Sequence, residues 1–333
     1  MAELIFHHFE ASPFSEKLRL VLGYKKLAWK SVIVPSFSPK PDVVALTGGY
    51  RKTPFLQIGA DIYCDTALIC DVLEHLQPLP SLYPQASGDG KGKGKGQGQT
   101  TALARTLGQW ADSTLFWAAV TYNRGPTGTG LNFGGASAEL ARALFEDRKA
   151  MGFDMEWVRP ADAATAYQSY VQRLSDMLDS QPYLLGKQPC IADFSAFHPL
   201  WMLNIRPPAV LDRLQLTPAL VGWLERMQAI GHGRVEQLDS AQAIAVAANA
   251  QPAALGQGRL KDVDFHDEHG IALGSNVTIT AKSFGLEPSQ GVLVAATRSH
   301  YSLSRVDRRA GTVHVHFPRI GYLLKRSDGQ ALP

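Results

Sequence analysis

Residues 88–99, "GDGKGKGKGQGQ", limit what this chain can fold into more than any other stretch. They hold no apolar residue, so nothing buried can offset the entropy of ordering them, and a flexible linker is expected. The tract therefore reads as an insertion between two domains, one on either side of it. The lysines invite a phosphate-loop reading, but the G-x-x-x-x-G-K-[ST] spacing is absent.

The text before the tract alternates between strand and helix. "ELIFHHF" reads as a strand, and Phe14, Leu18, Val21 and Leu22 mark one face of a helix. "KSVIVP" reads as a second strand, and "TPFLQIGADIYC" as two short strands around Gly59-Ala60. Ala67, Ile69, Cys70, Val72, Leu73 and Leu76 then mark another helix. That order predicts a compact α/β unit over residues 1–80, followed by a linker over 81–99.

From residue 100 to about 240 the apolar residues recur at three-to-four spacing, which predicts a helical domain with a Gly-rich loop at 125–135. From 255 to 333 the texture changes again. "NVTITA", "GVLVAAT", "HYSLSRV" and "TVHVHF" alternate and are rich in β-branched residues, which predicts a small, mostly β third domain. Residues 291–333 carry seven Lys/Arg and two Asp/Glu, a net of +5. The whole chain is only +3, so the rest is slightly acidic and nucleic acid is not an expected partner.

Three cysteines, Cys64, Cys70 and Cys190, show no C-x-x-C spacing, which argues against a disulfide scaffold or a metal finger. No apolar run reaches the ~18 residues of a membrane span, so a reducing cytoplasm is the expected location. His314 and His316 share a strand face in "VHVHF", but no glutamate comes after them at cupin-like spacing, so an exposed polar face is expected and no metal site.

Three short motifs in the first unit carry chemistry. In "EASPFSEKLR", Ser12 stands at a helix start with Pro13 at the position proline tolerates best. In "RKTPFLQ", Thr53-Pro54 leads into a strand, where a cis bond would turn Thr53's backbone toward a ligand. In "YCDTALI", Asp65-Thr66 opens a helix whose free N–H groups attract an anion, with Thr66 adding a hydroxyl and Asp65 able to hold an ammonium. A carboxylate and an amine bound at one locus, with backbone groups nearby, suit a small peptide.

Together with "GKQPCIADFSA", these motifs make the chain resemble the glutathione transferases. The resemblance implies an α/β thioredoxin-like N-terminal domain and an all-α C-terminal domain, with the mostly-β region as an addition. It assigns glutathione's γ-glutamyl end to Asp65 and Thr66, its cysteinyl unit to Thr53 ahead of cis Pro54, and its glycyl carboxylate to Arg51 or Lys52. The "S-P-F" triplet resembles an omega-like motif with serine in place of cysteine. A serine can stabilise glutathione's thiolate but cannot form a mixed disulfide, which favours conjugation or peroxidase-like chemistry. Ser12 and Ser15, one turn apart, both remain candidates for that contact.

Phe14, Trp117 and Tyr122 are the candidate electrophile pocket, with Trp110, Phe116 and Arg124 nearby. The resemblance also implies a detoxifying homodimer with glutathione as co-substrate, a small hydrophobic electrophile and no metal. It places Asp193 in a helix-capping box with Cys190. Two other readings stand beside the enzyme. One is a non-catalytic scaffold acting through its β region, and the other is thiol transfer through Cys64, which strand alternation places in the core.

Overall fold

The computed structural model describes residues 3–83, 97–124, 138–152, 158–202, 214–254 and 258–327. The first unit contains β1 (Ile5–His8), α1 (Pro13–Tyr24), β2 (Ala28–Ile33), α2 (Pro41–Thr47), β3 (Phe55–Ile58), β4 (Asp61–Cys64) and α3 (Thr66–Leu76). β1 runs parallel to β2 and antiparallel to β3, and β4 closes the β3 hairpin. This is the thioredoxin-like pattern. Successive side chains of a strand face opposite ways, and each of these strands sends apolar residues into a core on either face of the sheet. Phe6, Leu56 and Tyr63 pack with Leu18, Ile69 and the helical domain's Phe194 and Trp223. Ile5, Phe55 and Ile62 build a second core on the other face.

The helical domain contains α4 (Gln97–Trp110), a π-helical turn (Ala111–Leu115), α5 (Phe116–Arg124), α6 (Ala138–Met151), α7 (Pro160–Leu178), α8 (Ile191–Trp201) and α9 (Pro218–Gln228). Most of the expected linker lies outside the described residues, as does the 125–135 loop. At the linker's two ends, Leu82 is buried and its carbonyl accepts from Ile191 N, while α4 already begins at Gln97. Asp193 accepts hydrogen bonds from Cys190 N, Leu184 N and Trp223 Nε1, each at 2.9 Å, so it ties the start of α8 to α9 and to the loop before α8.

The chain then returns to the first sheet. β5 (Arg234–Gln237) pairs with β2, and α10 (Ser240–Ala248) packs on α2 and β9. The C-terminal strands are β6 (Asn276–Ala281), β7 (Ser289–Ala296), β8 (His300–Asp307), β9 (Gly311–Pro318) and β10 (Tyr322–Arg326). They do not stand apart as a third domain. β9 pairs in parallel with β4, matching Asp61 with His314 and Tyr63 with His316. The result is one ten-stranded sheet, ordered β10-β6-β7-β8-β9-β4-β3-β1-β2-β5. Without β9, β4 would present an open row of unpaired backbone groups. Val277, Leu293 and Val315 join Ile5, Phe55 and Ile62 in the second core, so this annex shares its interior with the first unit.

The junction also corrects the reading of His316, while its neighbour His314 is half-buried. His316 is buried, with Nε2 3.0 Å from Asp61 Oδ1, Nδ1 2.7 Å from Ser302 Oγ and its ring stacked on Tyr63. A buried imidazole between two polar partners fastens β9 to β4 and is no exposed face. Among the described residues no group of three or more His, Cys, Asp or Glu side chains could hold a metal, and no helix is long and apolar enough to cross a membrane.

Four further histidines, His7, His8, His198 and His300, are buried, and burial lowers the pKa of each. Burial depresses His7 to about 4, His8 to about 3 and His300 to about 4, with Arg19 adding to the shift at His8 and His316 at His300. The unfolded chain binds protons on these rings near pH 6.5 and the folded chain does not, so stability falls as pH drops from about 6.5 toward 4. Denaturant midpoints measured at pH 7 and pH 5 should show the loss. Equal midpoints would mean that the rings take up protons without unfolding.

Candidate active site

Ser12 is the N-cap of α1, with Ser15 N donating to its Oγ at 3.2 Å. Pro13 brings no N–H and Glu16 N donates to Ser12 O, which leaves the Phe14 N–H as a helix-start donor without an acceptor among the described residues. Ser12 lines a cleft of about 530 Å³ between the first unit and the helices. Thr53 and Lys52 line it too, and Thr53-Pro54 is cis as expected. Ser15 is fully buried in α1 and its Oγ has no partner among the described residues. Of the two serines, Ser12 is the one on the cleft.

The opposite wall is aromatic. Phe116 and Trp117 come from α5, and Trp201 ends α8. Phe14 faces them, with its ring 4.6 Å from Phe116. Tyr122, expected in this wall, turns away and packs on Tyr167 at 5.1 Å in the helical core. Trp110 likewise packs on Tyr170, at 5.2 Å. The Arg124 side chain lies outside the described ones.

Asp65 and Thr66 sit at the start of α3, next to the cleft but not among its lining residues. Asp65 has φ +77, a left-handed conformation that a non-glycine residue holds only under constraint. Its carboxylate accepts from Ala67 N at 3.0 Å and from the Tyr322 hydroxyl of the annex at 3.1 Å. Thr66 Oγ1 accepts from Lys17 Nζ at 3.1 Å, and Lys17 also pairs with Asp112 at 2.6 Å. Burial opposes both charges of that pair, yet their mutual attraction prevails, raising Lys17 and lowering Asp112. Asp112 lies in the π-helical turn and also accepts from His198, whose ring is 4.5 Å from Phe14.

Cations dominate the charged rim. Lys52 Nζ sits 5.3 Å from the Tyr50 ring and 5.1 Å from the Tyr322 ring, and burial lowers its pKa. Sequence reasoning missed Lys40, which is buried, lines the cleft and is pulled down to about 8, by burial first and then by Arg148. Its only signal was its place just before a Pro41 helix start. Arg51 pairs with Asp147 of α6 and with Glu287 of the annex, so of the two residues named for a glycyl carboxylate, it is the one already neutralised. His7 and His8 are satisfied by Gln57 and Ser31, and burial pushes the Cys64 thiol well up, which leaves it inert. A larger groove, about 1020 Å³, runs along the β5 edge of the sheet but touches none of these helix starts.

A model of the glutathione S-transferase N-terminal domain matches residues 6–81, and one of the C-terminal domain matches residues 139–226. A crystal structure of a GST-like protein from Pseudomonas syringae is 38% identical, over 98% of this chain and 100% of that one, with a TM-score of 0.75. The chain belongs to the glutathione S-transferase family. At that coverage the likeness extends over the annex, which lies beyond both domain models. Lower likenesses include a glutathione S-transferase from Rhodospirillum rubrum F11, 20% identical over 68% of this chain and 87% of that one, TM-score 0.45. Another is a glutathione S-transferase from Methylobacillus flagellatus KT with glutathione bound, 18% identical over 69% and 99%, TM-score 0.46. No curated protein matches the chain. As members of this family use glutathione, the cleft beside Ser12 is a candidate glutathione transferase site.

Proposed function

We propose that this chain is a glutathione transferase, working as a cytoplasmic homodimer, that presents the glutathione thiolate to a small hydrophobic electrophile. The sulfur lies at the start of α1, where Ser12 Oγ and the helix dipole stabilise its charge. The thiol, with an ordinary pKa of about 8.5, loses its proton to solvent and the sulfur lone pair forms a bond to the electrophilic carbon as the leaving group departs with its electrons. Thr53 pairs by backbone with the cysteinyl unit. Asp65 and Thr66 receive the γ-glutamyl end, and Lys52 supplies a cation for a carboxylate.

The observation that carries this reading is the convergence of Ser12, Thr53 and Lys52 on one cleft whose far wall is aromatic. The scaffold reading needs an annex that acts away from the cleft, whereas Tyr322 and Glu287 of the annex are engaged with Asp65 and Arg51. Calorimetric titration with glutathione, then mass spectrometry of products across a panel of aryl halides, enones and peroxides, tests it. Conjugate or disulfide should form from at least one electrophile. Glutathione binding with no product from any of them would favour the scaffold.

A further inference from the structure

The cleft has an outer wall that neither family domain supplies. It is the loop between β6 and β7, whose Phe284 ring lies 5.1 Å from that of Trp117, tilted by 60°. Trp117 meets Phe116 at 5.0 Å, and Phe116 meets Phe14 at 4.6 Å. A file of four rings thus runs from the helix start beside Ser12 to the annex.

The loop is held in place at two points. Gly285 N donates to Met151 O at 2.9 Å. The approach there needs glycine: φ is +68, and a Cβ would fall 2.9 Å from Lys52 Cγ and 3.0 Å from Met151 Cε. Glu287 pairs with Arg51, which also holds Asp147 at the end of α6. Phe284 itself is half-buried and lines the cleft.

We propose that Phe284 is a specificity-determining residue that selects planar aromatic electrophiles. This rests on the glutathione reading above. Rings favour offset or edge contacts at 4.5–7 Å, the spacing already found along the file. An aromatic group on the glutathione sulfur would extend from Ser12 along Phe14 and Phe116 and end against Phe284. A methyl group on the same sulfur would stop short of the annex. The annex is then part of the substrate site, and its loop, not the helical domain alone, sets the length and shape of what is accepted.

Two conjugates test this, S-(4-nitrobenzyl)glutathione and S-methylglutathione, titrated calorimetrically against the full chain, Phe284→Ala and Phe284→Tyr. The alanine variant should bind the nitrobenzyl conjugate about three- to tenfold more weakly and the methyl conjugate within about twofold of wild type. The tyrosine variant should restore nitrobenzyl affinity. Circular dichroism and melting temperature check that each variant folds. Equal changes for both conjugates, or none for either, would overturn the role of Phe284 and leave the glutathione reading standing. Failure of the wild-type chain to bind either conjugate would overturn both.

Discussion

Replacing Ser12 with alanine should lower turnover about ten- to a hundredfold while leaving glutathione affinity within a few-fold. A hydrogen bond to a charged partner contributes about 1.5–3 kcal/mol, and its loss falls on the thiolate rather than on the bound thiol. The hydroxyl has a second duty, since Ser15 N donates to it as the cap of α1. The variant should therefore also lose about 1 kcal/mol of stability. Ser12→Thr keeps the hydroxyl and should retain most of both. Ser15→Ala should change turnover little, because Ser15 is buried behind the helix start. Steady-state kinetics on the three variants, with melting curves alongside, separate the chemical role from the cap. Full activity in Ser12→Ala would remove Ser12 from the mechanism.

The largest effect on folding is expected at Asp193. Its carboxylate is fully buried and serves three donors, Leu184 N, Cys190 N and Trp223 Nε1. Alanine would leave all three buried and unpaired, at about 1–3 kcal/mol each before relaxation, so a net loss of about 3–5 kcal/mol is expected. That is a large share of a domain's usual stability of about 5–15 kcal/mol. Asp193→Asn keeps one carbonyl acceptor and should lose about half as much. The melting temperature should fall by about 10 °C in the alanine variant. A change under about 2 °C would mean that the α8 start is capped by something else.

The sequence made the two family domains legible because their elements are long enough to show a period. The seven-residue α2 is too short for that, and so is the four-residue β5. The union of the annex with the first sheet had no local signature. "TVHVHF" announces a strand, but nothing in it names β4 as partner, and the His316–Asp61 bond joins residues 255 apart. The site obeyed the same rule. Ser12, Thr53 and Asp65 stood out because they sit at helix or strand starts, where backbone groups are free. Phe14 and Trp117 fell on the cleft, while Tyr122 did not, since a spacing fixes which residues share a face but not where that face points. Lys40, Arg148 and Phe284 reach the cleft from a loop, a helix end and the annex, and only the tertiary fold brings them there.

The central claim is that the helix start at Ser12 holds glutathione as a thiolate. Ultraviolet absorbance of the bound thiolate, titrated against pH, measures it directly. In the wild-type chain the apparent pKa should lie about 2 units below the free thiol's 8.5, and Ser12→Ala should move it back up by about 1 to 2 units, with Ser15→Ala unchanged. A bound thiol that titrates near 8.5 in the wild type, or a pKa that does not rise in Ser12→Ala, would contradict the account.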